Sequence, residues 1–199
     1  MKKTVFTGSG VAIATPMHED GSVNFERLDA LIDFHLENKT DSIISCGTTG
    51  ESATLSHEEH CKVLEHTIRR VNKRIPVIAG VGSNDTAYSL ELAKEAAAYG
   101  ADALLSVTPY YNKASQAGLV KHFTYVADRV NLPMILYNVP SRTGCSIQPE
   151  TYLELSKHPN IVATKEANGN ISAIAKTIAL CGDDLDIYSG NDDQVLPIL

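Results

Sequence analysis

The chain has 199 residues, of which 43% are hydrophobic and 21% charged, values that suit one soluble globular domain with a sizeable core. A net charge of -7 and the lack of any basic run argue against binding to nucleic acid or an anionic membrane. No stretch is long and apolar enough to cross a bilayer, and the apolar patch after Lys2 and Lys3 is too short for a signal peptide, so a cytoplasmic protein is expected.

Seven short apolar runs recur in chain order, at 11–14, 42–46, 76–79, 103–107, 134–137, 161–164 and 185–188. Several are nearly continuous rather than alternating, as in strands of a parallel sheet buried on both faces. Helical patterns separate most of them. From Phe25 to Leu36 apolar residues recur at helical spacing behind an Asn24 cap. Ser56 and Glu59 form a capping box ahead of Val63, Leu64 and Ile68. A third helix opens at Asp85 and stops at Gly100. The cysteines Cys46, Cys61, Cys145 and Cys181 contain no C-x-x-C pair, which excludes zinc-ribbon and thioredoxin readings. Cys46, ending an apolar run, reads as a small buried hydrophobe.

Strands follow one another at steps of roughly 25–35 residues, the length of a βαβ unit. Such alternation fits either a doubly wound sheet or a (β/α)8 TIM barrel. No dinucleotide fingerprint follows the first strand and no Walker A motif exists, so the barrel is favoured. It is expected as a single domain over 1–199, truncated after about seven βα units.

In a barrel, chemistry collects at the C-terminal ends of the strands. Those ends carry Gly47-Thr48-Thr49-Gly50-Glu51, Thr108-Pro109-Tyr110-Tyr111-Asn112, the segment from Tyr137 through Arg142 to Gly144, Lys165-Glu166 and Ser189-Gly190-Asn191-Asp192. A lysine near the axis is partly desolvated; its pKa falls, and the neutral amine can attack a carbonyl. The plainer alternative for Lys165 is a strand-end lysine paired with Glu166. Thr48 and Thr49 suit a carboxylate cradle or a simple turn into the next helix. Tyr111 and Tyr137 can pass protons or merely pack. Arg142 can fork onto a substrate carboxylate or sit in a surface turn. His57 and His60 have the i, i+3 spacing of a zinc pair, but no third ligand is evident and the capping box accounts for the segment, so no metal is expected.

Six segments in order, G-S-G-V-A-I-A-T-P at 8, G-T-T-G-E-S-A-T-L at 47, T-P-Y-Y-N-K at 108, Y-N-V-P-S-R-T-G at 137, K-E-A-N-G-N at 165 and S-G-N-D-D at 189, carry a resemblance. The chain resembles the dihydrodipicolinate synthase and N-acetylneuraminate lyase family of pyruvate-dependent class I aldolases. The resemblance implies a lyase of lysine and diaminopimelate biosynthesis that condenses pyruvate with L-aspartate 4-semialdehyde, without cofactor. Lys165 matches the Schiff-base lysine and Tyr137 the proton-transferring tyrosine. Thr48 and Tyr111 match its relay partners, the tyrosine crossing a tight dimer interface. Thr49 and Gly190 match substrate-binding positions, and Arg142 the arginine that binds the aldehyde's carboxylate. Arginine at 142 favours this reaction over the alternative, a sugar-acid aldolase acting on neuraminate or 2-keto-3-deoxy sugar acids. A keto-acid-binding barrel without catalysis is disfavoured because Lys165 and Tyr137 are both present.

The resemblance also implies a homo-oligomer, a tetramer built from two tight dimers. Family members continue through an eighth strand and a helical C-terminal region that is absent from 1–199, so an inactive fragment is a further alternative. Residues matching Ser52, Ala53, His57, His60, Asn84 and Tyr110 form an allosteric lysine pocket in sensitive members. Tyr88 stands where an acid would bind the inhibitor's amino group, so weak lysine inhibition is expected.

Overall fold

A computed structural model describes residues 2–199. In chain order the principal elements are β1 (Gly10–Ala12), α1 (Phe25–Glu37), β2 (Ser42–Ser45), α2 (His57–Val71), β3 (Val77–Gly80), α3 (Thr86–Tyr99), β4 (Ala103–Val107) and α4 (Gln116–Ala127). There follow β5 (Met134–Asn138), α5 (Pro140–Thr143), α6 (Pro149–Leu155), β6 (Ile161–Glu166), α7 (Ile171–Cys181), β7 (Asp186–Ser189) and α8 (Val195–Ile198). Sheet order equals chain order, β1-β2-β3-β4-β5-β6-β7. All seven expected strands form, each within a residue or two of its apolar run. The largest extension is in β6, which continues past Thr164 through Lys165 and Glu166 because both are paired to neighbouring strands.

Contacts divide the chain into two compact units. One holds residues 5–81 and 92–104. Within it β1, β2 and β3 are parallel, with Val11 opposite Ile43 and Ile44 opposite Ile78. Leu28 and Ile32 of α1 and Leu64 of α2 are fully buried, which is the outcome their helical spacing dictates. Asn24 caps α1 by accepting from the Arg27 N–H, and both halves of the Ser56–Glu59 capping box are made. Gly80 is forced by space: a Cβ there would overlap the Cys46 carbonyl oxygen and lie 2.6 Å from its carbon.

The other unit holds residues 2–4, 82–91 and 105–199. Within it β5, β6 and β7 are parallel, with a register shift at Met134/Ile135. Ile161, Val162 and Ala163 of β6 and Met134, Ile135 and Leu136 of β5 are buried, as are Leu119 and Phe123 of α4 and Tyr152 and Leu155 of α6. The Lys2 ammonium donates to the carbonyls of Ser156, His158 and Ile161, tying residue 2 to the end of α6 and the start of β6. Helices α5 and α6 each begin at a proline, whose fixed φ and missing N–H suit a first helical turn.

Candidate active site

Lys165 lies in β6 behind a run of β-branched residues that favours the extended backbone. The ladder sets Tyr137 beside Lys165 and Lys165 beside Tyr188, so the three share one sheet face. Lys165 Nζ stands 4.6 Å from the centre of the Tyr137 ring, within cation–π range. Burial alone lowers the Lys165 pKa below its ordinary 10.5, and the lysine makes no ion pair among the described residues. Gly190 closes this corner. Its N–H donates to the Glu166 carbonyl, and a Cβ there would come within 3.2 Å of Lys165 Cε and 3.0 Å of Ala167 Cβ.

Glu166 is not the partner of Lys165. Successive strand residues face opposite ways, and the acid points away, to a position only 1% exposed. There it accepts from the Tyr152 hydroxyl and from Asn138 Nδ2 at 3.2 Å. Burial raises its pKa to about 7 against those hydrogen bonds. This network is the part of the site that sequence reasoning missed. Alternation within β6 signals that Lys165 and Glu166 diverge, but nothing local marks Tyr152 as the acid's partner.

Arg142 lies within the single turn of α5, exposed and without an ion pair among the described residues. The turn stops at Gly144, whose φ of +67° suits glycine. Beneath it Thr143 Oγ1 accepts from Thr108 Oγ1 at 3.1 Å and donates to the Cys145 carbonyl at 2.9 Å. Tyr111 follows β4 with φ +73° and is 89% exposed, a left-handed conformation that is an outlier for an aromatic residue. Nearby, Asn112 Nδ2 donates to the Asn84 carbonyl at 2.9 Å, and the Asn112 N–H donates to the Tyr110 carbonyl.

In the unit holding β2, Thr48 and Thr49 occupy an exposed turn that opens at Cys46 with φ +54° and includes Glu51 at φ +55°. The Gly50 carbonyl accepts from Thr15 Oγ1 at 2.7 Å, and a Cβ at Gly50 would meet the Ile13 carbonyl oxygen at 3.1 Å. Burial pushes the Cys46 thiol up to about 12, which leaves it un-ionised at neutral pH. Ser52 donates its N–H to the Gly47 carbonyl, and Ala53 is exposed. His57, exposed at the start of α2, lies 3.7 Å from Cys61 Sγ. Buried His60 puts Nε2 2.8 Å from the Gly80 carbonyl oxygen, so it serves the core.

Repeating β and α elements in sheet order, with a partly buried lysine beside a tyrosine near the end of an inner strand, define a βα-barrel protein. The chain belongs to the dihydrodipicolinate synthetase family, whose model matches residues 5–199. It is 58% identical over 195 residues to the 4-hydroxy-tetrahydrodipicolinate synthase of Caldicellulosiruptor saccharolyticus, covering 98% of this chain and 66% of that one. The crystal structure of the chloride-inhibited dihydrodipicolinate synthase from Acinetobacter baumannii complexed with pyruvate is 47% identical with a TM-score of 0.95, covering 98% of this chain and 67% of that one. The Aquifex aeolicus dihydrodipicolinate synthase structure is 46% identical with a TM-score of 0.95, covering 97% and 66%. The chain thus spans about two thirds of the length of the relatives it matches, and its fold is the βα-barrel architecture over that span.

Proposed function

We propose that the chain supplies the lysine chemistry of a 4-hydroxy-tetrahydrodipicolinate synthase, condensing pyruvate with L-aspartate 4-semialdehyde. The observation that carries the reading is the Lys165 amine, lowered in pKa by burial and 4.6 Å from the Tyr137 ring centre. A lowered pKa raises the fraction of free amine, the form that attacks a keto carbon. The amine adds to pyruvate and, as water leaves with the nitrogen protonated, gives a protonated imine whose positive charge acidifies the methyl group. Proton loss yields an enamine, which attacks the aldehyde. Tyr137 passes protons in these steps, with Thr48 and Tyr111 as its relay. Thr49 and the backbone N–H groups of its turn take a carboxylate, and Gly190 keeps the approach to Lys165 clear. Arg142, exposed and without an ion pair among the described residues, binds the carboxylate of the aldehyde substrate.

The exposed, left-handed Tyr111 supports a further part of the reading, a homodimer in which this side chain contributes to its partner. A dimer of such dimers is the corresponding tetramer. Among the described residues no helix is long and apolar enough to cross a membrane and no disulfide links the four cysteines, which supports a cytoplasmic setting. Tyr88 in the first turn of α3 replaces the acid that would bind an inhibitory lysine's amino group, so lysine inhibits weakly.

Borohydride reduction in the presence of pyruvate tests the reading. The expected result is a pyruvate-derived adduct on the peptide containing Lys165, absent from Lys165→Arg. An unmodified Lys165, with the protein folded, overturns it.

A further inference from the structure

On the sheet face opposite Lys165 and Tyr137, the next cross-strand pair is Asn138 and Glu166. The Glu166 carboxylate accepts from the Tyr152 hydroxyl of α6 and from Asn138 Nδ2 of β5. Thr164, also in β6, donates its hydroxyl to Tyr152 at 3.2 Å. Asn138 is fixed in turn, its Oδ1 accepting from the Ile147 N–H at 3.2 Å. The backbone on either side of Glu166 is held too: the Ala167 N–H donates to the Asn138 carbonyl and the Gly190 N–H to the Glu166 carbonyl. Three strands and one helix therefore converge on the residue immediately after Lys165.

We propose that Glu166, gripped by Tyr152 and Asn138, is a positioning residue that fixes the end of β6 and so sets how Lys165 is presented beside Tyr137 and Gly190. The inference rests on Lys165 being the reactive amine. Glu166 lies on the far face and does not reach a molecule bound at the lysine, so its influence passes through the backbone. An ordinary buried packing position would hold a hydrocarbon. Here a carboxyl is kept where burial raises its pKa, and it is satisfied by donors from two segments, α6 and β5, an arrangement that gives directionality rather than cheap burial. If the grip is loosened, the strand end relaxes. Lys165 then gains water, and its amine becomes more strongly protonated and less well aimed.

The test uses Tyr152→Phe and Glu166→Gln in the 199-residue chain. Two rates at Lys165 are followed by peptide mass spectrometry, well below the melting temperature and per folded protein. One is pyruvate adduct formation under borohydride. The other is reductive methylation by formaldehyde, which reads the amine without pyruvate. Both variants are expected to slow both rates by about threefold or more, a modest share of what a roughly 1 Å misplacement can cost. Lower melting temperatures with both rates unchanged would overturn the proposal and leave the network a purely structural one. Methylation at Lys165 without any pyruvate adduct in the unsubstituted chain would remove the Schiff-base reading, and the methylation ratios alone would then decide the positioning role. Tyr152→Phe removes a single hydroxyl and carries the test if Glu166→Gln does not fold.

Discussion

The burial of Glu166 has a thermodynamic signature that Glu166→Gln isolates. Its pKa rises from an ordinary 4.5 to about 7, with desolvation as the cause and the Tyr152 and Asn138 hydrogen bonds opposing it. Between those two values the folded protein holds more protons at this site than the unfolded chain does. Stability therefore falls as pH rises from about 4.5 to about 7, and the loss is complete above the folded pKa. At about 1.4 kcal/mol for each tenfold change in proton activity, the site's contribution drops by about 3 kcal/mol across that window. Glutamine mimics the neutral acid in shape and does not titrate. Urea unfolding of both proteins at a series of pH values yields the stability of the unsubstituted chain minus that of the variant, a difference in which every other titrating group cancels. It is expected to fall by about 3 kcal/mol through the window and to be level above about pH 8. A difference that is level throughout, or that rises with pH, would refute the desolvation argument.

Buried His122 works in the other direction. Burial lowers its pKa from 6.5 to about 4, so the unfolded chain binds the extra proton and stability is lost as pH falls from 6.5 to about 4, by about 3 kcal/mol. His122→Phe should flatten that slope in the same urea series, and an unchanged slope would assign it to other groups. Gly80→Ala places a Cβ on the Cys46 carbonyl, and a loss of about 3 kcal/mol or more is expected in thermal or urea unfolding; an alanine variant of near-normal stability would show that the backbone yields there. Gly190→Ala crowds Lys165 Cε from 3.2 Å. Its expected mark is a pyruvate adduct rate reduced about tenfold with a melting temperature lowered only slightly, whereas equal adduct rates would remove Gly190 from the approach to the lysine.

Much of the fold was legible because its signals are local. The β-branched and apolar runs at 42–46 and 161–164 need only their own residues to favour extended, two-sided burial. Asn24 and the Ser56–Glu59 box mark helix starts through hydrogen bonds that reach three residues along the chain. Lys165 was legible as a polar residue ending an apolar run, and the ordered motifs around it carried the family. The sequence left open whether Lys165 pairs with Glu166. That depended on cross-strand register, which sets Tyr137 beside the lysine and Asn138 beside the acid, and on α6 bringing Tyr152 onto the carboxyl from fourteen residues away. Short-range hydrogen bonding and propensity are written into neighbouring residues. Desolvation is not, because the dielectric around a charge depends on which distant segments cover it.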